Sequence, residues 1–125
     1  MNTQKTQVTI PQITAERLDD IISDNEFKII DVRDAKGIEQ QGSIPGAINI
    51  PLDLVEEEIG KRHDHPDSVF NHDGPLLFCC TGGVMSYMGA MRAQENGIEN
   101  IFNLEGGHSG WMKWKQSCSE VLTFA

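Results

Sequence analysis

The chain has 125 residues, with 10 Lys and Arg against 19 Asp and Glu, giving a formal net charge of −9 at pH 7. That length predicts one domain, since domains typically run about 100–200 residues, and a chain 38% hydrophobic and 23% charged reads as globular rather than disordered. The acidic balance argues against binding the phosphate backbone of DNA or RNA and against anionic membrane surfaces, both of which need clustered Lys and Arg.

The longest apolar run, Leu76 to Cys80, falls far short of the ~20 residues of a membrane span. Residues 1–7 are polar, lack the apolar core of a signal peptide, and are expected to be loose, with one domain over residues 8–125. The expected compartment is the cytoplasm. The 3 cysteines, Cys79, Cys80 and Cys118, form neither a disulfide framework nor a zinc pattern. Free thiols in a reducing compartment are the simplest reading, and one of them is a candidate nucleophile.

In chain order, a short apolar piece runs from Val8 to Ile10 and stops at Pro11. Thr14 is placed to cap a helix, with Glu16 in its first turn and Leu18, Ile21 and Ile22 on one face. Phe27 to Val32 reads as a strand. Arg33 to Gly42 reads as a polar connection with one helical turn. Ser43 to Gly46 is a turn, Ala47 to Ile50 a short strand, and Leu52, Val55 and Ile59 mark a helical face opposite Glu56, Glu57 and Glu58. Residues 60–75 read as a polar loop with one short helix. Leu76 to Cys79 forms a buried strand and Thr81-Gly82-Gly83 a turn. A helix from Ser86 to Asn96 shows Met88, Met91 and Glu95 on one face and stops at Gly97. Ile101 to Leu104 is a strand, Gly106-Gly107 a turn, and Trp111 and Trp114 share one face of a last helix. Strands alternate with helices and hairpin turns are missing, which predicts an α/β fold with a mainly parallel sheet covered on both faces.

The chemistry concentrates at Cys80-Thr81-Gly82-Gly83-Val84-Met85-Ser86. A strand, a Gly-containing loop and a helix start put Cys80 at the carboxyl end of a strand, where such folds place their sites. Backbone N–H groups and the positive end of the helix dipole face that position and favour a thiolate, an anion or a persulfide. Cys79 points to the other side of the strand and reads as a packing residue, and Cys118 as an exposed one.

Four blocks carry a resemblance to a known family. Asp31-Val32-Arg33, Gly42-Ser43-Ile44-Pro45-Gly46-Ala47, Cys80 to Ser86, and Asn103-Leu104-Glu105-Gly106-Gly107 followed by Trp111 resemble, in order and spacing, the signatures of single-domain rhodaneses. The resemblance spans about residues 13 to 114. It implies a five-stranded parallel sheet flanked by helices on both faces. It implies a sulfurtransferase with Cys80 as nucleophile, Thr81, Gly82, Gly83, Val84, Met85 and Ser86 as the substrate-binding loop, and Asp31 and Arg33 as structural residues near the site. The thiolate takes sulfane sulfur from a donor such as thiosulfate or a persulfide and passes it, from a cysteine persulfide, to cyanide, a thiol or a sulfur-accepting protein. No metal or organic cofactor is implied.

This loop departs from the family where Arg often follows the cysteine and precedes the serine: Thr81 and Met85 stand there, leaving no charged side chain. Weak thiosulfate binding, or a donor of low charge, is the expectation. Ser43 replaces a family His, and Glu39 is a candidate partner for Arg33. Arg92 reads as a surface residue and His108 as a solvated loop residue. Asp53 and Glu56 to Glu58 read as a solvated face, and His63, His65 and His72 as polar-loop residues rather than metal ligands. A second hypothesis is a weakly active or non-catalytic sulfur-carrier or protein-interaction module. A phosphatase or arsenate reductase of related fold is set aside, because Ser86 occupies the position of the arginine that clamps the oxyanion.

Overall fold

A computed structural model describes residues 9–124, and of residues 120–124 the backbone only. The expectations for residues 1–7 and for Val8 lie outside the described residues. Five strands, β1 (Gln12–Ile13), β2 (Lys28–Asp31), β3 (Ile48–Asn49), β4 (Leu76–Cys79) and β5 (Ile101–Leu104), form one sheet in the order β1-β5-β4-β2-β3. All four pairings are parallel. Parallel neighbours need crossover connections, and the helices supply them. These are α1 (Leu18–Asp24), α2 (Ala35–Gln41), α3 (Val55–Lys61) and α4 (Val84–Glu95), with α5 (Gly107–Phe124) closing the chain.

β4 lies at the centre and its four residues are all buried. Strand side chains alternate between faces, and here the alternation sorts the core into two clusters. Ile30, Val32, Leu76, Phe78 and Cys80 pack with Val55 and Ile59 of α3 and Ala90 and Ala93 of α4. Ile29, Leu77 and Cys79 pack on the opposite side with Leu18 and Ile21 of α1 and Trp111 of α5. Trp111 is fixed further by donating its ring N–H to Asp19 over 3.0 Å.

Several local expectations are corrected. The first strand lies after Pro11, beyond the apolar piece that ends there, because Gln12 and Ile13 find the edge of β5 at Asn103 and Leu104. Thr14 makes no side-chain cap and leads into a 3₁₀ turn over Ala15–Arg17 before α1. The connection after Arg33 holds a two-turn helix, α2, because the Asp34 side chain caps it by accepting from the Gly37 N–H over 2.7 Å. The 60–75 loop contains one 3₁₀ turn, Val69–Asn71, whose Phe70 is buried against Phe78.

The helix expected over Ser86 to Asn96 is present as α4, and its small residues decide how it packs. Its buried face is Ser86, Gly89, Ala90 and Ala93, while Met88 and Met91 are exposed. Small residues let the helix approach the sheet closely: a Cβ on Gly89 would sit 3.3 Å from Leu52 and 3.5 Å from both Phe78 and Val32. Long methionines cannot fit that gap, so the face that carries them lies outward. Gly89→Val should therefore destabilise the protein by about 1–3 kcal/mol through overpacking. Met88→Gln should stay within about 0.5 kcal/mol. Urea unfolding of the two variants checks this, and equal effects would contradict the assigned face.

Candidate active site

Cys80 is the first residue beyond β4, and its side chain is 3% exposed. The chain then turns through Gly83, whose φ of +98° is in the left-handed region that only glycine enters freely. This turn aims backbone N–H groups back at the sulfur. Gly83 donates to Sγ over 3.1 Å and Ser86 over 3.3 Å. The Ser86 N–H is one of the first-turn donors that a helix leaves without an intrahelical partner. The sulfur thus sits on the positive end of α4.

The two adjacent cysteines are driven in opposite directions. Burial pushes the Cys79 thiol well up, and the neighbouring Asp31 charge adds to this. Burial also pushes the Cys80 thiol up, but hydrogen bonding from Ser86 and from the Gly83 and Gly82 N–H groups outweighs it, leaving Cys80 below the ordinary thiol value. Ionised Cys80 consequently contributes stability above the free-thiol pKa of about 8.5, and this is lost as pH falls through the native value.

The loop can point its N–H groups inward only if its carbonyls are satisfied outside. The start of α5 does this. His108 N–H donates to the Cys80 carbonyl over 2.8 Å and Ser109 N–H to the Thr81 carbonyl over 3.0 Å. Contact is so close that a Cβ on Gly107 would lie 2.5 Å from each of those carbonyl oxygens. The Gly83 carbonyl accepts from the Asn103 side chain over 3.0 Å.

Asp31 and Arg33 form a buried pair at the end of β2, with Nη2 to Oδ2 at 2.6 Å. The hydrogen bond to Asp31 raises the Arg33 pKa against the opposing effect of burial. The other Arg33 acceptors are Gln41 Oε1 at 3.3 Å and the Gly42 carbonyl at 2.9 Å. Glu39 is exposed, and Gln41, the last residue of α2, takes the place expected for it. The same Gln41 oxygen accepts from the Thr81 hydroxyl over 2.9 Å, so this hydroxyl is turned to α2. Val84 and Met85 face outward, 72% and 43% exposed.

His108 is buried, not solvated, because Gly107 brings α5 down onto the loop. Burial first and the Arg33 charge second lower its pKa, against the opposing Asp31, which favours a neutral imidazole. Arg92 is half-buried, reaching the Leu52 carbonyl over 3.5 Å. Cys118 is exposed. Asp53, Glu56 and Glu57 are exposed and Glu58 is half-buried, with Lys61 paired to Glu57 and Glu58 at 3.0 and 3.5 Å. His72 bonds the Glu26 carbonyl over 3.0 Å. No group of three or more His, Cys, Asp or Glu side chains among the described residues could hold a metal ion.

Gln41 and Asn103 are the site-shaping residues that sequence reading did not single out for a role. Asn103 carried a signal: a polar residue inside Ile101-Phe102-Asn103-Leu104, a buried strand, must find partners there. Gln41 carried none, since exposed glutamines on a polar helix are ordinary.

The rhodanese-like domain family model matches residues 14–113, and the chain belongs to that family. It is 30% identical over 110 residues to mouse (Mus musculus) thiosulfate sulfurtransferase/rhodanese-like domain-containing protein 3, covering 84% of this chain and 70% of that protein. It is 28% identical over 102 residues to thiosulfate sulfurtransferase GlpE of Actinobacillus succinogenes, covering 82% and 84%. Among solved structures it resembles a Rhodopseudomonas palustris protein of unknown function, described as a possible tyrosine phosphatase, with TM-score 0.75, 27% identity and coverage of 85% and 82%. The five-stranded parallel sheet with helices on both faces, which the family resemblance implied, is a rhodanese fold.

Two predictions follow from this geometry. Iodoacetamide should modify Cys80 of the native protein at a lower pH than a free cysteine requires, while Cys79 stays unmodified until unfolding; peptide mass spectrometry over a pH series reads both. Gly83→Ala should cost about 1–2 kcal/mol from the left-handed backbone alone. Its Cβ would also press on the Gly106 nitrogen at 3.1 Å and the Leu104 carbonyl at 3.2 Å. Cys80 alkylation should shift to higher pH well below the temperature at which the variant unfolds.

Proposed function

We propose that this protein is a sulfurtransferase in which Cys80 carries sulfane sulfur as a persulfide. The observation that carries this reading is the pair of backbone N–H groups, from Gly83 and Ser86, held 3.1 and 3.3 Å from the buried Cys80 sulfur. The relatives named as thiosulfate sulfurtransferases support it.

In the first half-reaction the Cys80 thiolate attacks the outer sulfur of a donor. A sulfur–sulfur bond forms to Cys80 as the donor's own bond breaks, and the leaving group departs with the electron pair as sulfite or a thiolate. In the second, a thiolate or cyanide attacks the terminal sulfur and Cys80 leaves as thiolate, regenerating the enzyme. Loop N–H groups stabilise the anion at both stages without moving, as preorganised dipoles do.

Charge at the loop decides the donor. Arg33 is committed to Asp31, Gln41 and Gly42, and the loop residues Cys80 to Ser86 bring no cation. A thiosulfate dianion therefore gains only backbone hydrogen bonds, and a persulfide of lower charge is the better donor. The carrier or interaction module is the second reading, favoured by the exposed apolar Val84, Met85 and Met88 beside the loop, where a sulfur-accepting protein could dock. A phosphatase is disfavoured, since Ser86 supplies no guanidinium to clamp a phosphoryl group.

Intact-protein mass spectrometry after mixing with thiosulfate, and separately with glutathione persulfide, tests the proposal. One added sulfur, removed by cyanide and absent in Cys80→Ser, is expected, with the persulfide effective at lower concentration. Met85→Arg should lower the thiosulfate KM by about tenfold, the worth of one charge-assisted hydrogen bond. No added sulfur from either donor would overturn the sulfurtransferase reading in favour of the module.

A further inference from the structure

Asn103 lies on β5 with its side chain fully buried, across from Phe78 of β4. Its amide is used on every side. Nδ2 donates to the Gly83 carbonyl over 3.0 Å and to Gln12 Oε1 on β1 over 2.9 Å, while Oδ1 accepts from the Ser86 hydroxyl. The Gly83 carbonyl facing Nδ2 leaves the amide one orientation, because reversing it would set oxygen against that oxygen. Gly83 and Ser86 both direct backbone N–H groups at the Cys80 sulfur, over 3.1 and 3.3 Å.

We propose that Asn103 is a positioning residue for Cys80: its single amide ties the Gly83 carbonyl and the Ser86 hydroxyl to the sheet and so holds the first turn of α4 against the sulfur. Gln12, on the edge strand, braces the amide from behind. The arrangement passes the stiffness of the sheet to two N–H groups that would otherwise depend on a short glycine loop. It acts through Gly83 and Ser86 and needs no contact with substrate. Arg33, paired with Asp31 at the end of β2, lies within electrostatic range of Cys80, Cys79 precedes it on β4, and the His108 backbone N–H meets its carbonyl from α5. The residues of β5 carry no charge, so replacing Asn103 with an apolar residue removes none.

The test is the pH dependence of Cys80 alkylation by iodoacetamide in the intact protein, which reads the thiolate whether or not sulfur transfer occurs. The proposal shares with the proposed function only the premise that Cys80 is the reacting group, so the two fail separately. Asn103→Leu should move the alkylation midpoint upward by about one pH unit, a tenfold slower reaction well below it. The same substitution in a Ser86→Ala background should move the midpoint less, because one of the two ties is already gone. A merely structural residue would lower Tm and leave the midpoint in place, which would overturn the proposal. A lower midpoint would also overturn it, by showing that Asn103 withholds the Ser86 proton from the thiolate. Should Asn103→Leu fail to fold, the wild-type Asn103 side-chain amide resonances should shift with the Cys80 midpoint, and flat resonances would refute the coupling.

Discussion

Everything at the candidate site depends on the direction of one short stretch of backbone. A loop that turns its N–H groups toward a sulfur must turn its carbonyls away, and buried carbonyls need partners. Here the partners come from elements distant in sequence: two N–H groups at the start of α5 and one amide on β5. The strand order makes this possible. With β5 beside β4, the turn after β5 lies next to the turn after β4, and Gly107 removes the side chain that would keep them apart.

A second constraint is electrostatic. The sulfur is stabilised by dipoles rather than by charges, since Arg33 is spent on Asp31, Gln41 and the Gly42 carbonyl. The pair thereby fixes the corner where α2 meets the loop, with Gln41 passing the contact on to Thr81. Such a site suits an anion of low charge, and it leaves Cys79, one residue away but on the other side of the sheet, buried and neutral.

The third is packing. α4 meets the sheet through serine, glycine and alanine, which draws its first turn close to Cys80. The same choice leaves Val84, Met85 and Met88 in solvent beside the loop. One feature of the sequence thus accounts for both the tight cradle and the apolar rim.

Sequence alone determined the alternation of strands and helices, the opposite facing of Cys79 and Cys80, and the strand–loop–helix junction around Cys80. These are local properties, set by side-chain period, glycine positions and helix-start signals within a few residues. Tertiary structure decided which face of α4 is buried, that Gln41 rather than Glu39 meets Arg33, that His108 is buried, and that Asn103 holds the cradle. Each depends on how closely two elements approach, Gly89 on the sheet or Gly107 on the loop, and on which strands are neighbours. Residues 91 apart, such as Gln12 and Asn103, meet only once the sheet order is set. No local pattern encodes that distance, because it is the sum of packing choices made along the whole chain.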